Sequence, residues 1–245
     1  MSRPRWLTIA LLVLASPATG AGGQDAPAAG TRPIIAVMNF SNASIKDHDL
    51  YEPFTVGVAG MLLTEMRENR AIELVERHRL REVLAEIQLG QSGDVDPATA
   101  ARVGKILGAQ HMIFGTFIID LRGRLRIDAR AVNVETSLVE HVESVNDDED
   151  NLLRAVQKLG RQLNAGLKLP GRAAEPRESR SSRQGQVLAD LKFARALQEE
   201  ERSNPARAAE LYREYLVDSP VDYAPVQRQE AETRIRFITT GKSSP

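Results

Sequence analysis

Apolar positions along the chain follow two rhythms, and the change from one to the other marks out the elements. "IIAVMNF", Ile34 to Phe40, is a nearly continuous apolar run, the pattern of a strand buried on both faces. "SNASIKDHDLYEP" breaks it as a polar loop. Phe54, Val56, Ala59, Leu63 and Met66 then recur at helical spacing, predicting a helix that ends near "RENR". "AIELVE" is a short strand, and strand, helix, strand in that order predicts a right-handed βαβ crossover. The next stretch, "LVERHRLREVLAEIQLGQSGDVDPATAARVGKILGA", reads as two amphipathic helices around a turn. Leu80, Val83, Leu84 and Ile87 form the first stripe. Arg77, Arg79 and Arg81 are interleaved with Glu76, Glu82 and Glu86 and read as a salt-bridged solvent face. Gly90 is placed to stop the first helix in a left-handed cap. Asp96 is an N-cap with Pro97 at the first helical position. Ala100, Val103, Gly104 and Leu107 carry the second stripe, and Gly108 can end it.

Three strands follow: "HMIFGTFIID", "RLRIDARAVN" with Leu125, Ile127, Ala129 and Ala131 on one face, and "SLVEHVESV". Their short connectors predict an antiparallel meander. "NDDED" leads into a helix carrying Leu152, Val156, Leu159 and Leu163 on one side, with acidic residues at the positive end of its dipole. "PGRAAEPRESRSSRQG" has no periodicity and reads as a linker. Beyond it are two helices joined at Asn204-Pro205 and a final amphipathic segment, Val226 to Ile238, packed on them. Ala196, Ala208, Tyr212 and Pro220 fall at the offsets of a tetratricopeptide repeat, although Arg195 and Glu199 break the pattern. A single repeat buries its own face poorly, so this piece is expected to dock on the main domain or on a partner. The fold class expected is α/β (α+β): a βαβ start, a helix pair and a meander in one mixed sheet, then a small all-α hairpin.

The N-terminus changes the picture. Arg3 and Arg5 precede the apolar run "WLTIALLVLA" and the small-residue stretch "SPATGAGG", the order of a secretory signal peptide with cleavage expected between Gly20 and Gln24. The run is short of the ~20 residues of a spanning helix. The chain has no cysteine, which removes disulfides, thiol catalysis, thiolate metal sites and the lipid-bearing residue of a bacterial lipoprotein. Residues 1–23 are therefore read as a signal peptide, 24–32 as a flexible lead-in, 33–168 as the α/β domain, 169–186 as the linker and 187–240 as the helical, tetratricopeptide-like segment. The location expected is periplasmic, with outer-membrane association as a variant of it.

Charge and chemistry narrow the function by exclusion. Net charge is −1 and aromatics make up 4% of the residues, so neither a basic footprint nor a stacking platform points to nucleic acid. The gap from Gly90 to Asp96 is looser than the tight turn of a DNA-reading helix pair. Four histidines, His48, His78, His111 and His141, are scattered without ligand spacing. "TGKSS" lacks the leading Gly of a phosphate loop, "NDDEDN" lacks the Gly and final Glu of a calcium loop, and "QSGD" lacks the first Gly of a nucleophile elbow. No catalytic residue, cofactor or metal site is expected.

"IAVMNFSN", "VGVAGMLLTEM" and "IELVERHRLREVLAEIQLGQSGDVDPATAARVGKILGAQHMIFGTF", in this order, resemble the curli-secretion, CsgG-type family and its envelope relatives. The resemblance runs from about Pro33 to Lys168 and is densest at the turn Gly90, Gln91, Ser92, Gly93, Asp96 and Pro97, the helix stop Gly108 and the strand glycine Gly115. It implies a non-enzymatic α/β module that binds envelope proteins or its own copies, a ring of identical subunits among them. Such a module would act as an interaction or assembly accessory, with no nucleic acid, no lipid anchor and at most peripheral contact with a membrane. Two other roles follow from the same resemblance: a subunit of an outer-membrane curli-type secretion channel, and an activator of a peptidoglycan synthase. Against the channel, the loop Ser41 to Pro53 is too short and polar to supply a pair of membrane strands of ~9–11 residues each.

Overall fold

The computed structural model describes residues 32–87, 95–171, 186–220 and 224–240. The expected signal peptide, the lead-in before Arg32, the turn residues Gly90, Gln91, Ser92 and Gly93, and residues 172–185 of the expected linker lie outside the described residues. Five strands, β1 (Ile34–Asn42), β2 (Glu73–Leu74), β3 (His111–Ile119), β4 (Arg124–Asn133) and β5 (Val139–Asp148), form one sheet in the order β2-β1-β3-β4-β5. β1 pairs parallel with both β2 and β3, whereas β3, β4 and β5 form the antiparallel meander that their short connectors predict. The fold is the mixed α+β architecture expected, with a helical C-terminal part.

β1 supplies both cores, as its unbroken apolar run requires. Ile35 and Val37 enter the core on one face of the sheet, while Ala36 and Met38 enter the core on the other. Strict alternation would then send Asn39 to the first face. Instead the register with β3 slips: Val37 lies opposite Ile113 and Phe40 opposite Gly115, so β1 spends one residue more than its partner. That bulge turns Phe40 into the first core, where it is 1% exposed. Leaving such a ring outside would forfeit roughly 1.5–3 kcal/mol.

The polar stretch after β1 holds one turn of helix, α1 (His48–Tyr51), in place of the expected loop. The signal for it is one residue, Tyr51, whose ring stacks on Phe54 with centroids 5.8 Å apart. α2 (Phe54–Met66) buries every residue except Thr55. A helix apolar all round needs neighbours on every side. β1 lies under it, α5 (Leu152–Gly166) beside it and α6 (Gln186–Glu201) over it. The expected strand "AIELVE" shortens to the two residues of β2, because only Glu73 and Val75 donate to β1, at Pro33 and Ile35.

On the opposite face, α3 (Arg77–Glu86) and α4 (Pro97–Leu107) close the smaller core with Leu80, Val83, Ala100, Val103 and Leu107. Asp96 caps α4 by accepting from the N–H groups of Ala98 (2.9 Å) and Thr99 (3.0 Å), and Gly108 ends it at φ 70°. α7 (Pro205–Asp218) and α8 (Pro225–Thr240) complete the C-terminal helices. The helical part joins the larger core: Ala194, Leu197, Ala208 and Tyr212 share it with Leu62 and Leu159.

Candidate functional site

The expectation of a salt-bridged solvent face on α3 is corrected by the structure. Of the three arginines, only Arg79 is exposed; Arg77 and Arg81 turn inward toward the end of α6. Arg77 Nε donates to Glu201 Oε1 at 2.8 Å, and Arg77 Nη2 donates to Asn39 Oδ1, on the residue left over by the β1 bulge. Arg81 Nη1 donates to the main-chain carbonyls of Glu200 (3.4 Å) and Glu201. Those carbonyls end α6, where the helix dipole is negative and a cation is favoured. The arginines therefore tie α3 to α6 across the open edge of β2. Their positions follow from spacing: residues 77, 80, 81 and 84 share one helical face, so Arg77 and Arg81 lie beside Leu80 and Leu84 rather than opposite them.

This tie leaves a cleft of about 670 Å³ between α2, β2, α3, α6 and α8. Its apolar wall is Leu63, Ile72, Leu74 and Leu197; its rim is charged, with Arg32, Arg67, Arg70, Arg77, Arg81 and Arg234 facing Glu73, Glu76, Glu200 and Glu201. Arg234 bridges Glu200 at 2.6 Å and Glu230 at 2.8 Å, and Arg67 lies 3.4 Å from Glu230. Beneath them, burial pushes the Tyr212 phenol well above its ordinary value, so it stays neutral. Two guanidinium atoms at the cleft, Arg77 Nη1 and Arg81 Nε, are buried without a hydrogen-bond partner. α3 also begins without a capping side chain; Glu76, at the N-cap, faces His78 Nδ1 at 3.0 Å instead.

None of the described motif residues, Asp96, Pro97, Gly108 and Gly115, lines this cleft. Asp96 and Pro97 open α4 and Gly108 closes it, while Gly115 lies mid-strand in β3 against Phe40 and β4. Gly90, Gln91, Ser92 and Gly93 are outside the described residues. Each histidine pairs with a single carboxylate: His48 with Asp49, His78 with Glu76, His111 with Glu140 and His141 with Glu143. Among the described residues no group of three or more His, Asp and Glu side chains could hold a metal ion. In the acidic run, burial raises the Asp147 carboxyl, but hydrogen bonds from Arg154, the Asp148 N–H and Asn151 outweigh it and hold the group below the usual carboxylate range.

No curated protein matches this sequence. Solved structures with a structural likeness include the LpoB C-terminal domain from Escherichia coli, 11% identical, covering 48% of this chain and 83% of that one with a TM-score of 0.40. Lipoprotein GNA1162 from Neisseria meningitidis is 16% identical over 55% of this chain and 94% of that one, TM-score 0.39. The PelC dodecamer from Paraburkholderia phytofirmans is 8% identical over 57% and 92%, TM-score 0.35. A family match covers residues 19–119, ending with the last residue of β3 and so short of Lys168, the expected limit of the motif resemblance. Over residues 19–119 this chain is recognised as CsgG-like, similar to the family described as the curli production assembly/transport component CsgG.

Proposed function

We propose that the protein is a non-enzymatic accessory of the bacterial cell envelope that works by binding other proteins. The observation that carries this reading is the match of residues 19–119 to a family described by its assembly and transport role. A cleft walled by apolar side chains and rimmed by arginines supports it, because such a surface offers contacts to a partner. The basic, apolar and small-residue order of residues 1–23 supports export to the periplasm. The C-terminal helices, with the same cleft between them and α3, supply part of the contact surface.

The test is in-cell cross-linking of a C-terminally tagged full chain, followed by fractionation and mass spectrometry. The expected result is a mature chain shortened by 20 to 23 residues, given cleavage between Gly20 and Gln24, recovered from the periplasmic or outer-membrane fraction and cross-linked to an envelope protein. A full-length chain in the cytosol, or one that cross-links to no envelope protein, would overturn the proposal.

A further inference from the structure

The charges around the cleft do not balance. Six arginines meet four glutamates in the lining: Arg32 pairs with Glu73, Arg77 with Glu201, Arg234 with Glu200, and Glu76 with His78, while Glu230 outside the lining pairs with Arg67 and Arg234, and Glu200 Oε1 is buried without a hydrogen-bond partner. Arg70 and Arg81 are left without a carboxylate among the described residues. Arg81 spends one nitrogen on main-chain carbonyls, while its Nε, like Arg77 Nη1, is buried and donates to nothing. A buried guanidinium N–H without an acceptor is unfavourable, and an incoming carboxylate relieves it through charge-assisted hydrogen bonds.

The backbone makes a second offer in the same place. The N–H groups of Glu73 and Val75 donate to Pro33 and Ile35 of β1, at 2.9 Å each. Leu74 lies between them, so strand geometry turns its N–H and C=O to the other side, away from β1 and along the cleft it lines. β2 is the end of the sheet, and an exposed strand edge pairs with an extended chain. Leu63, Ile72 and Leu197 form an apolar floor for alternate side chains of such a segment.

We propose that the cleft binds an acidic peptide segment in extended conformation, its backbone paired with Leu74 and its carboxylates held by Arg70, Arg77 and Arg81. This rests on the reading of the protein as a protein-binding accessory and names the chemistry of the partner. The charge surplus sets the sign: a basic segment would add to uncompensated cations, and a neutral one would offer carbonyl acceptors without the charge-assisted bonds a carboxylate makes.

The probes are fluorescein-labelled hexapeptides of alternating Val and Glu, of alternating Val and Lys, and an N-methylated version of the first, read by fluorescence anisotropy with the full mature chain. The acidic peptide should bind saturably, and the basic one should not. N-methylation, which removes strand pairing, should weaken binding. Arg81→Gln should weaken it about tenfold, since a hydrogen bond to a charged group contributes on the order of that factor. Arg81 also holds α6, so Arg70→Glu, at an exposed position, gives an independent arm and should reduce binding without changing the circular dichroism spectrum. The proposal is overturned if the acidic peptide does not bind, if both variants bind it as the parent does, or if inorganic phosphate displaces it at equal concentration, which would mark a small-anion site. An envelope partner that still cross-links to Arg70→Glu and Arg81→Gln would sink the cleft while leaving the accessory role standing; loss of all partners from the parent chain would sink the role itself.

Discussion

A Cβ placed on Gly115 would collide with the Asp128 carbonyl oxygen and stand 2.7 Å from Phe40 Cε1 and 3.0 Å from Ala129 Cα. Two of these three atoms are main chain, so relief must come from the β3–β4 ladder itself. Gly115→Ala is therefore expected to destabilise the fold by about 3 kcal/mol, toward the upper end for overpacking, seen as a lowered urea midpoint with an unchanged slope. The residue is legible in the sequence as a motif glycine, but its reason is not: it depends on the close approach of the β4 main chain at Asp128 and Ala129, with Phe40 packed beside it. Asp96 makes a gentler case at the same scale. The hydroxyl of Thr99 (2.6 Å) and the N–H groups of Thr99 and Ala98 hold its carboxyl below the usual range. A depressed carboxylate contributes stability that is complete at neutral pH and is lost as pH falls through its folded-state pKa. The amide shifts of Ala98 and Thr99 should accordingly titrate with a midpoint below that of an unperturbed aspartate. Spacing places Arg77 and Arg81 beside Leu80 and Leu84, but their partners at the end of α6 are hidden from the sequence, because charge pattern within a helix says nothing about a partner helix far along the chain.

Among elements, α2 depends most on what surrounds it, and its two inner glycines separate two kinds of closeness. At Gly57 a Cβ would meet the Ala194 Cβ and lie 3.2 Å from its Cα, so α6 must move bodily. At Gly60 the neighbour is Leu197 Cδ1 at 2.5 Å, the far end of a side chain that can turn. Gly57→Ala should cost about 2 kcal/mol and Gly60→Ala less, a ranking that equilibrium urea unfolding of the two variants reads directly; equal losses would mean that α6 is not rigid against α2. The apolar run of β1, the stripes of α4 and α5 and the alternation in β4 are all visible as periodicity. α1 and the shortened β2 are not, because one turn of helix and two strand residues are too brief for any period to register. They form through tertiary contacts: the Tyr51 hydroxyl donating to Glu149 Oε2 at 2.8 Å, and two N–H groups of β2 and its following residue reaching Pro33 and Ile35.

For the whole molecule, sequence pattern separates a sheet-bearing part from a helical tail, and the structure joins them in one core. Phe193 lies 5.6 Å from Tyr212 and 5.2 Å from Tyr215, ring to ring, and this aromatic knot shares a core with Leu62 of α2. A chain truncated after Gly171 would leave the α6-facing side of α2 bare. It should bind a hydrophobic dye and associate with itself, whereas a tail that merely followed the domain could be removed without either effect. The junction is not legible in the sequence because the spacing of apolar residues locates a helix's buried face without saying which surface will cover it.

Two separate stretches of the chain build the cleft. Residues 19–119 contribute Leu63, Leu74, Arg77 and Arg81, while Leu197, Glu200, Glu201 and Arg234 come from helices beyond the matched stretch. The unmatched helices thus set how much of the arginine charge is already neutralised before any partner arrives. If the cleft binds the acidic segment proposed above, exchanging a glutamate for a neutral residue at the end of α6 should strengthen that binding without altering a single position of residues 19–119. The charge of the cleft is thus written in two stretches of the sequence, with most of its arginines within residues 19–119 and Glu200 and Glu201 beyond them.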